Sequence, residues 1–314
     1  MRIFIELPTW LGDAIMATPA IENILEHYPN ADITLFGSFV STEALKMHPR
    51  VSRSIVDESK KAFLRFYWLY QHAQQLGSFD IAISFRSSLT SSFLLWSVSA
   101  KKKFCYTKNV FKGHQVEKYT QFIAKSLHVK TQPLPLKLYQ TPFHFDKPTL
   151  GINPGATYGS AKRWYPEEFA KVAAYFANRY DIVIFGGPNE VDIAKEVEEK
   201  LKENAITNVT NLAGKTTIQE LIQNIAGLSL FVTNDSGPMH VAAAYQIPTV
   251  ALFGPTKYNE TAPWQNANST ILSHDLVCAP CMKRECPIKT HECMRGIKAE
   301  EVISLLERHL SLDK

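Results

Sequence analysis

Residues 228–256, LSLFVTNDSGPMHVAAAYQIPTVALFGPT, hold two apolar runs separated by a polar turn and an amphipathic stretch. Leu228–Thr233 reads as a buried strand, Pro238–Tyr245 as a helix and Thr249–Phe253 as a second strand. That succession is the repeating unit of a parallel sheet covered on both faces. The turn gathers Asp235, Ser236, Gly237 and His240 beyond the first strand. Ser236 or Gly237 can cap the helix, and Pro238 fits its opening turn. The same free N–H groups suit an anion, and a neutral His240 beside the positive helix end can donate one hydrogen bond to a phosphate or sugar oxygen. Spacing alone leaves plain capping and anion binding both open.

The pattern extends along all 314 residues. Strands are expected near Arg2–Leu7, Ile33–Gly37, Phe79–Ser84, Lys103–Tyr106, Thr149–Asn153 and Asp181–Phe185. Helices are expected near Gly12–Tyr28, Lys60–Leu76, Val116–Leu127, Pro166–Arg179, Glu190–Glu203, Ile218–Ala226 and Ala299–Leu310. Between the halves lies QPLPLKLYQTPFHFDKPTL, with four prolines across residues 132–150, a composition that resists helix and marks a linker. The expected architecture is α/β: two doubly wound, Rossmann-like parallel-sheet domains facing across a cleft, residues 1–147 and 148–314. The last helix is expected to pack back on the first domain.

An apolar content of 45% with 20% charged residues is that of a soluble globular protein. No apolar run approaches the roughly 20 residues that span a bilayer. The opening MRIFIELPTWLGDAIM carries Glu6 and Asp13 and reads as a first strand rather than a signal peptide, so cytoplasmic residence is expected. Residues 1–148 hold 18 Lys/Arg against 11 Asp/Glu, a balance of +7, and the remainder holds 16 against 19, or −3. The first half is thus suited to an anionic partner, although two solvated surfaces with uneven charge would give the same sum.

In doubly wound sheets ligands sit beyond the carboxyl ends of strands. In the first half that rule selects Asp13, in the turn Leu7–Asp13. It complements a helix dipole, or at a cleft it serves as a general base. In the second half it selects the loop NPGATYGSAKRWYP, residues 153–166, where small residues permit close approach and Thr157, Ser160 and Lys162 suit phosphate. The loop lacks the Walker and dinucleotide glycine patterns. Glu190, after FGGPN, either partners a helix start or accepts ribose hydroxyls.

Cys278, Cys281, Cys286 and Cys293, with His291 nearby, have spacing that suits a closed structural zinc site, or are packed thiols. A zinc-dependent nucleic-acid-binding module is the rival class this cluster permits, although the basic residues lie far from it in sequence. The aromatic stretch Lys60–Tyr70, edged by base, reads as a core helix, as such stripes more often are, rather than as a surface touching membrane or lipid. Arg86 with Lys101, Lys102 and Lys103 is the better candidate for an anionic substrate.

LPTWLGDAIMATPAI, PGATYGSAKRW, GGPNE, NLAGKT and TNDSGPMHVAAA, in that order, resemble the bacterial ADP-heptose–lipopolysaccharide heptosyltransferases through nearly the whole chain. The resemblance implies a GT-B fold and inverting transfer of heptose from ADP-L-glycero-D-manno-heptose to the first heptose of the lipopolysaccharide or lipooligosaccharide inner core, with no required cofactor. It implies Asp13 as the base. Thr157 and Lys162 would hold the diphosphate, Glu190 the ribose end, and Thr216 would lie by the nucleotide. Asp235, Ser236, Gly237 and His240 would contact heptose and phosphates. Arg86 and Lys101–Lys103 would face a heptosylated Kdo-lipid A acceptor, with the protein peripheral at the inner face of the inner membrane and no nucleic-acid partner. The chain departs from some relatives in carrying Ser236 rather than Thr, and Tyr158 after Thr157. Another nucleotide sugar, used by a GT-B transferase or epimerase, is the nearest alternative.

Overall fold

Strand Arg2–Glu6 (β1) begins the chain and is buried along all but its first residue. The computed structural model describes residues 1–312, so the last two residues of the expected second domain lie outside the described residues. Two units are present, Met1–Tyr139 and the chain from Gln140 onward, and the Pro-rich segment is shared between them. Up to Tyr139 that segment is held by the first unit, for instance where Tyr139 Oη donates to Glu22. Farther on it joins the second, where Phe143 N donates to Gln223 O.

The first unit continues through helices Leu11–Met16 (α1) and Thr18–His27 (α2), strand Asp32–Gly37 (β2), helix Phe39–Leu45 (α3) and strand Val51–Val56 (β3). Helix Arg65–Gln75 (α4), strand Ser78–Ser84 (β4), helix Leu89–Ser97 (α5), strand Ser99–Cys105 (β5) and helix Gln115–Leu127 (α6) complete it. The sheet order is β3-β2-β1-β4-β5, with every pair parallel. The expected single helix Gly12–Tyr28 is two helices meeting at Ala17, because Pro19 has no N–H to continue the ladder.

The aromatic stretch is the larger departure from expectation. Of α4 only Leu69 and Ala73 are buried, and Phe63, Leu64, Phe66, Tyr67 and Tyr70 are exposed. On a helix at 100° per residue, Leu69 and Ala73 form a narrow stripe, Phe66 and Tyr70 fall on the arc beside it, and Tyr67 falls on the far face. The sheet fills the stripe and leaves the rings outside.

The second unit comprises strand Thr149–Asn153 (β6), helix Pro166–Phe176 (α7), strand Asp181–Ile184 (β7), helix Val191–Glu203 (α8), strand Val209–Asn211 (β8) and helix Ile218–Ala226 (α9). Strand Leu230–Asn234 (β9), helix Gly237–Ala244 (α10), strand Thr249–Leu252 (β10), helix Tyr258–Thr261 (α11) and strand Ser269–Leu272 (β11) follow, before helices Glu292–Arg295 (α12) and Ala299–Leu312 (α13). The order is β11-β10-β9-β6-β7-β8, again all parallel. Numbered within the unit this is 3-2-1-4-5-6, the dinucleotide-fold order, in which the chain reverses direction between the first and fourth strands. β6 and β9 therefore flank the switch point. They are buried along their whole length, as continuous Leu/Ile/Phe/Val strands in a two-sided sheet must be. Val302 and Leu306 of α13 join the core of this unit with Trp164, Phe169 and Phe176. Among the described residues no helix is long and apolar enough to cross a membrane.

Candidate active site

At the second switch point the loop after β6 meets the turn after β9. Trp164 anchors the loop: its ring is buried edge-on against Phe169 at 4.9 Å, and Nε1 donates to Ile297 O at 3.1 Å. Asn234, fully buried at the end of β9, accepts from Trp164 N at 3.1 Å and donates to Pro154 O at 2.9 Å. With core and strand holding both ends, the residues between are fixed in position. Gly155 is needed there, because a Cβ would stand 2.2 Å from the Glu190 carboxyl carbon.

Lys162 closes this loop and does not reach solvent as a surface lysine would. Its side chain is only 12% exposed, and Nζ donates to Asp235 Oδ2 at 2.5 Å and Asp235 O at 3.2 Å. Nζ also lies 4.7 Å from the Tyr158 ring centroid. Asp235 accepts a second bond, 2.6 Å, from Thr256 Oγ1 after β10. Removing one member of such a buried pair typically costs about 3–5 kcal/mol by stranding the other charge. Asp235 and Ser236 are not side-chain caps of α10; Ser236 Oγ meets Thr233 Oγ1 and Asn153 Nδ2 instead. The Oδ1 of Asn153, also buried, has no hydrogen-bond partner among the described residues. An unmet buried acceptor is costly.

Glu190 lies under the same loop. Its carboxylate accepts from Gly187 N at 2.8 Å and from Thr157 Oγ1 at 3.2 Å, so the β6 and β7 loops are tied through one buried acid. Gly214 N donates to Gly186 O at 2.9 Å and brings the β8 loop, with half-buried Thr216, beside the β7 loop. Gly237 opens α10, and His240 is buried within its first turns. Thr157 thus contacts Glu190 and Lys162 contacts Asp235, two pairs on the same loop, and Ser236, Gly237, His240 and Thr216 stand on adjoining turns. Asn234, Trp164 and Thr256 were not singled out from sequence. The signal for Asn234 was a polar residue at the end of a strand otherwise buried.

The cysteine segment backs this loop. Arg284 O accepts from Ala161 N at 3.0 Å, and Tyr158 Oη donates to Met282 O at 2.9 Å. His291 bonds Ala161 O through Nε2 at 2.8 Å and Tyr165 Oη through Nδ1 at 3.0 Å. Gly159 lets the two segments touch, since a Cβ there would stand 2.2 Å from Arg284 O. Burial, reinforced by the neighbouring thiols of Cys278, Cys281 and Cys286, pushes Cys293 up to about 11. The His291 backbone N–H, followed by those of residues 288–290 against opposing burial, holds Cys286 below the ordinary thiol value. The four sulfurs share one neighbourhood, yet among the described residues no three His, Cys, Asp or Glu groups are arranged to hold a metal ion.

In the first unit the switch point falls between β1 and β4. Asp13 lies in the first turn of α1, half-buried. Burial first, and then the Asp13 charge, drive the Tyr119 hydroxyl on α6 well above its ordinary range. Arg86, just past β4, has a largely buried side chain that pairs with Glu6 at 3.1 Å and Asp57 at 3.8 Å. Glu6 also accepts from Ser84 Oγ at 2.6 Å and Ser91 Oγ at 3.0 Å. Burial outweighs Arg86 and the serines, and the Glu6 carboxyl is raised. Lys101, Lys102 and Lys103 are exposed on the edge strand β5. Lys102 is in register with Ile81, so it lies roughly 16 Å along the strand direction from Arg86. The structure does not bring the lysine run and Arg86 together. Lys101 pairs with Asp80 at 2.7 Å and Lys103 Nζ donates to Trp96 O at 2.9 Å.

Residues 69–291 match the sequence profile of glycosyltransferase family 9 (heptosyltransferase). Over 312 residues the chain is 47% identical to a lipooligosaccharide heptosyltransferase 2 of Campylobacter jejuni, covering 96% of each chain. Among solved structures, Escherichia coli ADP-heptose LPS heptosyltransferase II matches with a TM-score of 0.81 at 23% identity, over 100% of this chain and 99% of that one. E. coli heptosyltransferase WaaC with ADP matches with a TM-score of 0.78 at 18% identity, over 98% and 100%. The structural matches speak for the GT-B fold, and the sequence matches carry the rest: the chain belongs to glycosyltransferase family 9 and is a heptosyltransferase.

Proposed function

We propose that the protein moves heptose from ADP-L-glycero-D-manno-heptose to the first heptose of the lipopolysaccharide or lipooligosaccharide inner core, with inversion. The observation that carries this reading is the buried Lys162–Asp235 pair at the second switch point. It is a preorganised cation, held by one acid, at the place where a doubly wound sheet receives a diphosphate. The name of the C. jejuni relative supports the choice of acceptor.

In the proposed reaction the Asp13 carboxylate takes the proton of the acceptor hydroxyl. The hydroxyl oxygen forms a bond to the anomeric carbon, and the bond from that carbon to the diphosphate oxygen breaks. ADP leaves with the electron pair, and Lys162, turning from Asp235, offsets the charge that builds on it. Thr157 shares the diphosphate, Glu190 takes ribose hydroxyls, and Thr216 borders the nucleotide. Asp235, Ser236, Gly237 and His240 orient the heptose and phosphates. The charge of Arg86 is taken up by Glu6 and Asp57. We assign the anionic groups of a heptosylated Kdo-lipid A acceptor to the exposed Lys101, Lys102 and Lys103, with Lys101 turning from Asp80. The reading routes no step through a metal, involves no nucleic acid, and has the protein work at the inner face of the inner membrane.

Incubation of the enzyme with ADP-heptose and a truncated, once-heptosylated acceptor tests it. The expected result is one added heptose in a single linkage with stoichiometric ADP. Transfer to the unheptosylated acceptor instead, or release of a different nucleotide from a different donor, would overturn it.

A further inference from the structure

We propose that the face of the first unit formed by α4, α5 and the edge strand β5 docks on an anionic lipid bilayer. Phe63 is fully exposed, Trp96 is 67% and Tyr67 61% exposed, and Leu64, Phe66 and Tyr70 are exposed with them. Scattered exposed apolar residues are ordinary, and a continuous patch is not. Here the rings are continuous from one helix to the next. Phe66 meets Phe93 edge-on at 4.9 Å, Phe93 lies 5.6 Å from Trp96, and Trp96 lies 6.3 Å from Tyr70.

The charge around the patch selects the occupant. Lys103 sits at its border, with Nζ on the Trp96 carbonyl. Lys60 and Lys61 are exposed just ahead of α4. Lys101, Lys102 and Lys103 are exposed on the adjoining edge strand β5. A protein partner is met by apolar surface with charges of both signs at its rim. Tryptophan, tyrosine and phenylalanine bordered by lysines that outnumber the nearby acids, Glu58 on Lys61 and Asp80 on Lys101, match the headgroup layer of an anionic leaflet. The face lies on the bilayer and does not cross it. The inference deepens the membrane part of the proposed function and rests on it only for its purpose, which is to bring the enzyme to a lipid-linked acceptor.

The test is co-sedimentation of the full chain with vesicles of phosphatidylcholine, alone or mixed with phosphatidylglycerol, with neither donor nor acceptor present. Wild type is expected to sediment with the mixed vesicles, less with phosphatidylcholine alone, and less at high salt. The double variant Phe63→Glu/Tyr67→Glu is expected to partition about tenfold or more weakly. It should keep the wild-type melting temperature and the wild-type kcat/KM on a deacylated, water-soluble acceptor. Absence of binding to the mixed vesicles, or binding that the double variant retains, overturns the proposal. So does a concentration-dependent dimer in light scattering that the double variant dissolves, because a second copy would then cover the face. Vesicle binding without heptose transfer would leave this inference standing and sink the transfer reading, so the two fail separately.

Discussion

Both sheets reverse direction between their first and fourth strands, yet the two switch points treat charge in opposite ways. In the first unit the cation that reaches the reversal, Arg86, is drawn inward onto Glu6 and Asp57, acids that belong to the sheet and its loops. In the second the cation sits on a loop beyond the strand end, and its partner Asp235 also lies past its strand. In the proposed reaction the acid within β1 keeps its neighbour in place, whereas the acid on a turn releases its cation to the leaving diphosphate. One topology thus yields an electrostatic unit closed within the sheet and, as the proposed reaction requires, an exchangeable one on the loops.

The sharpest way to break the comparison is Asp13→Asn. If the first unit contributes the base and the second the donor site, kcat should fall by about 10²–10⁴-fold while ADP affinity is retained. Near-normal turnover would require a different base. Lys162→Ala probes the exchangeable pair: kcat should drop by about 10²–10³-fold, and Lys162→Arg should recover part of it. Equal loss in both variants would mean that the pair only stabilises the loop. Reversing Lys101–Lys103 to Glu should raise the acceptor KM about tenfold with ADP binding unchanged. Parallel loss of both would show damage to the fold.

His291→Ala removes two bonds to the Lys162 loop and should weaken ADP binding by about threefold to tenfold, measured by calorimetry. An unchanged Kd would separate the cysteine segment from the site. The smallest effect concerns the closed unit. Burial raises Glu6, so the folded state favours its protonated form. That contribution is complete below the ordinary glutamate value and is lost as pH rises through the raised one. The melting temperature of wild type should therefore fall relative to Glu6→Gln across that window. A gap that widens the other way would show that the pairing with Arg86 outweighs burial.

The apolar strands and the loops that follow them were legible because continuous Leu/Ile/Val/Phe runs and Gly-Pro turns are strong local signals. β3, β8 and β11 were not. Val51–Val56 is half-exposed and interrupted by Ser and Arg, Val209–Asn211 has three residues, and Ser269–Leu272 is an edge strand. α3 and α5, rich in Ser and Thr, read more like turns than helices. The loop motif around Lys162 was legible as a phosphate-suited composition, but the depth of Lys162 was not. That depth depends on Asp235 more than seventy residues on, a contact no local spacing contains. For α4 the number of aromatic residues suggested a core. Packing decides by arc, and the sheet accepts only the stripe of Leu69 and Ala73.

The backbone of Ala161 is held on one side by Arg284 O and on the other by His291, both within the four-thiol segment. The chemical history of those sulfurs would therefore be felt one residue away, as slack or tension at Lys162. Alkylating Cys286 offers a handle on the donor loop that touches neither the loop nor the donor.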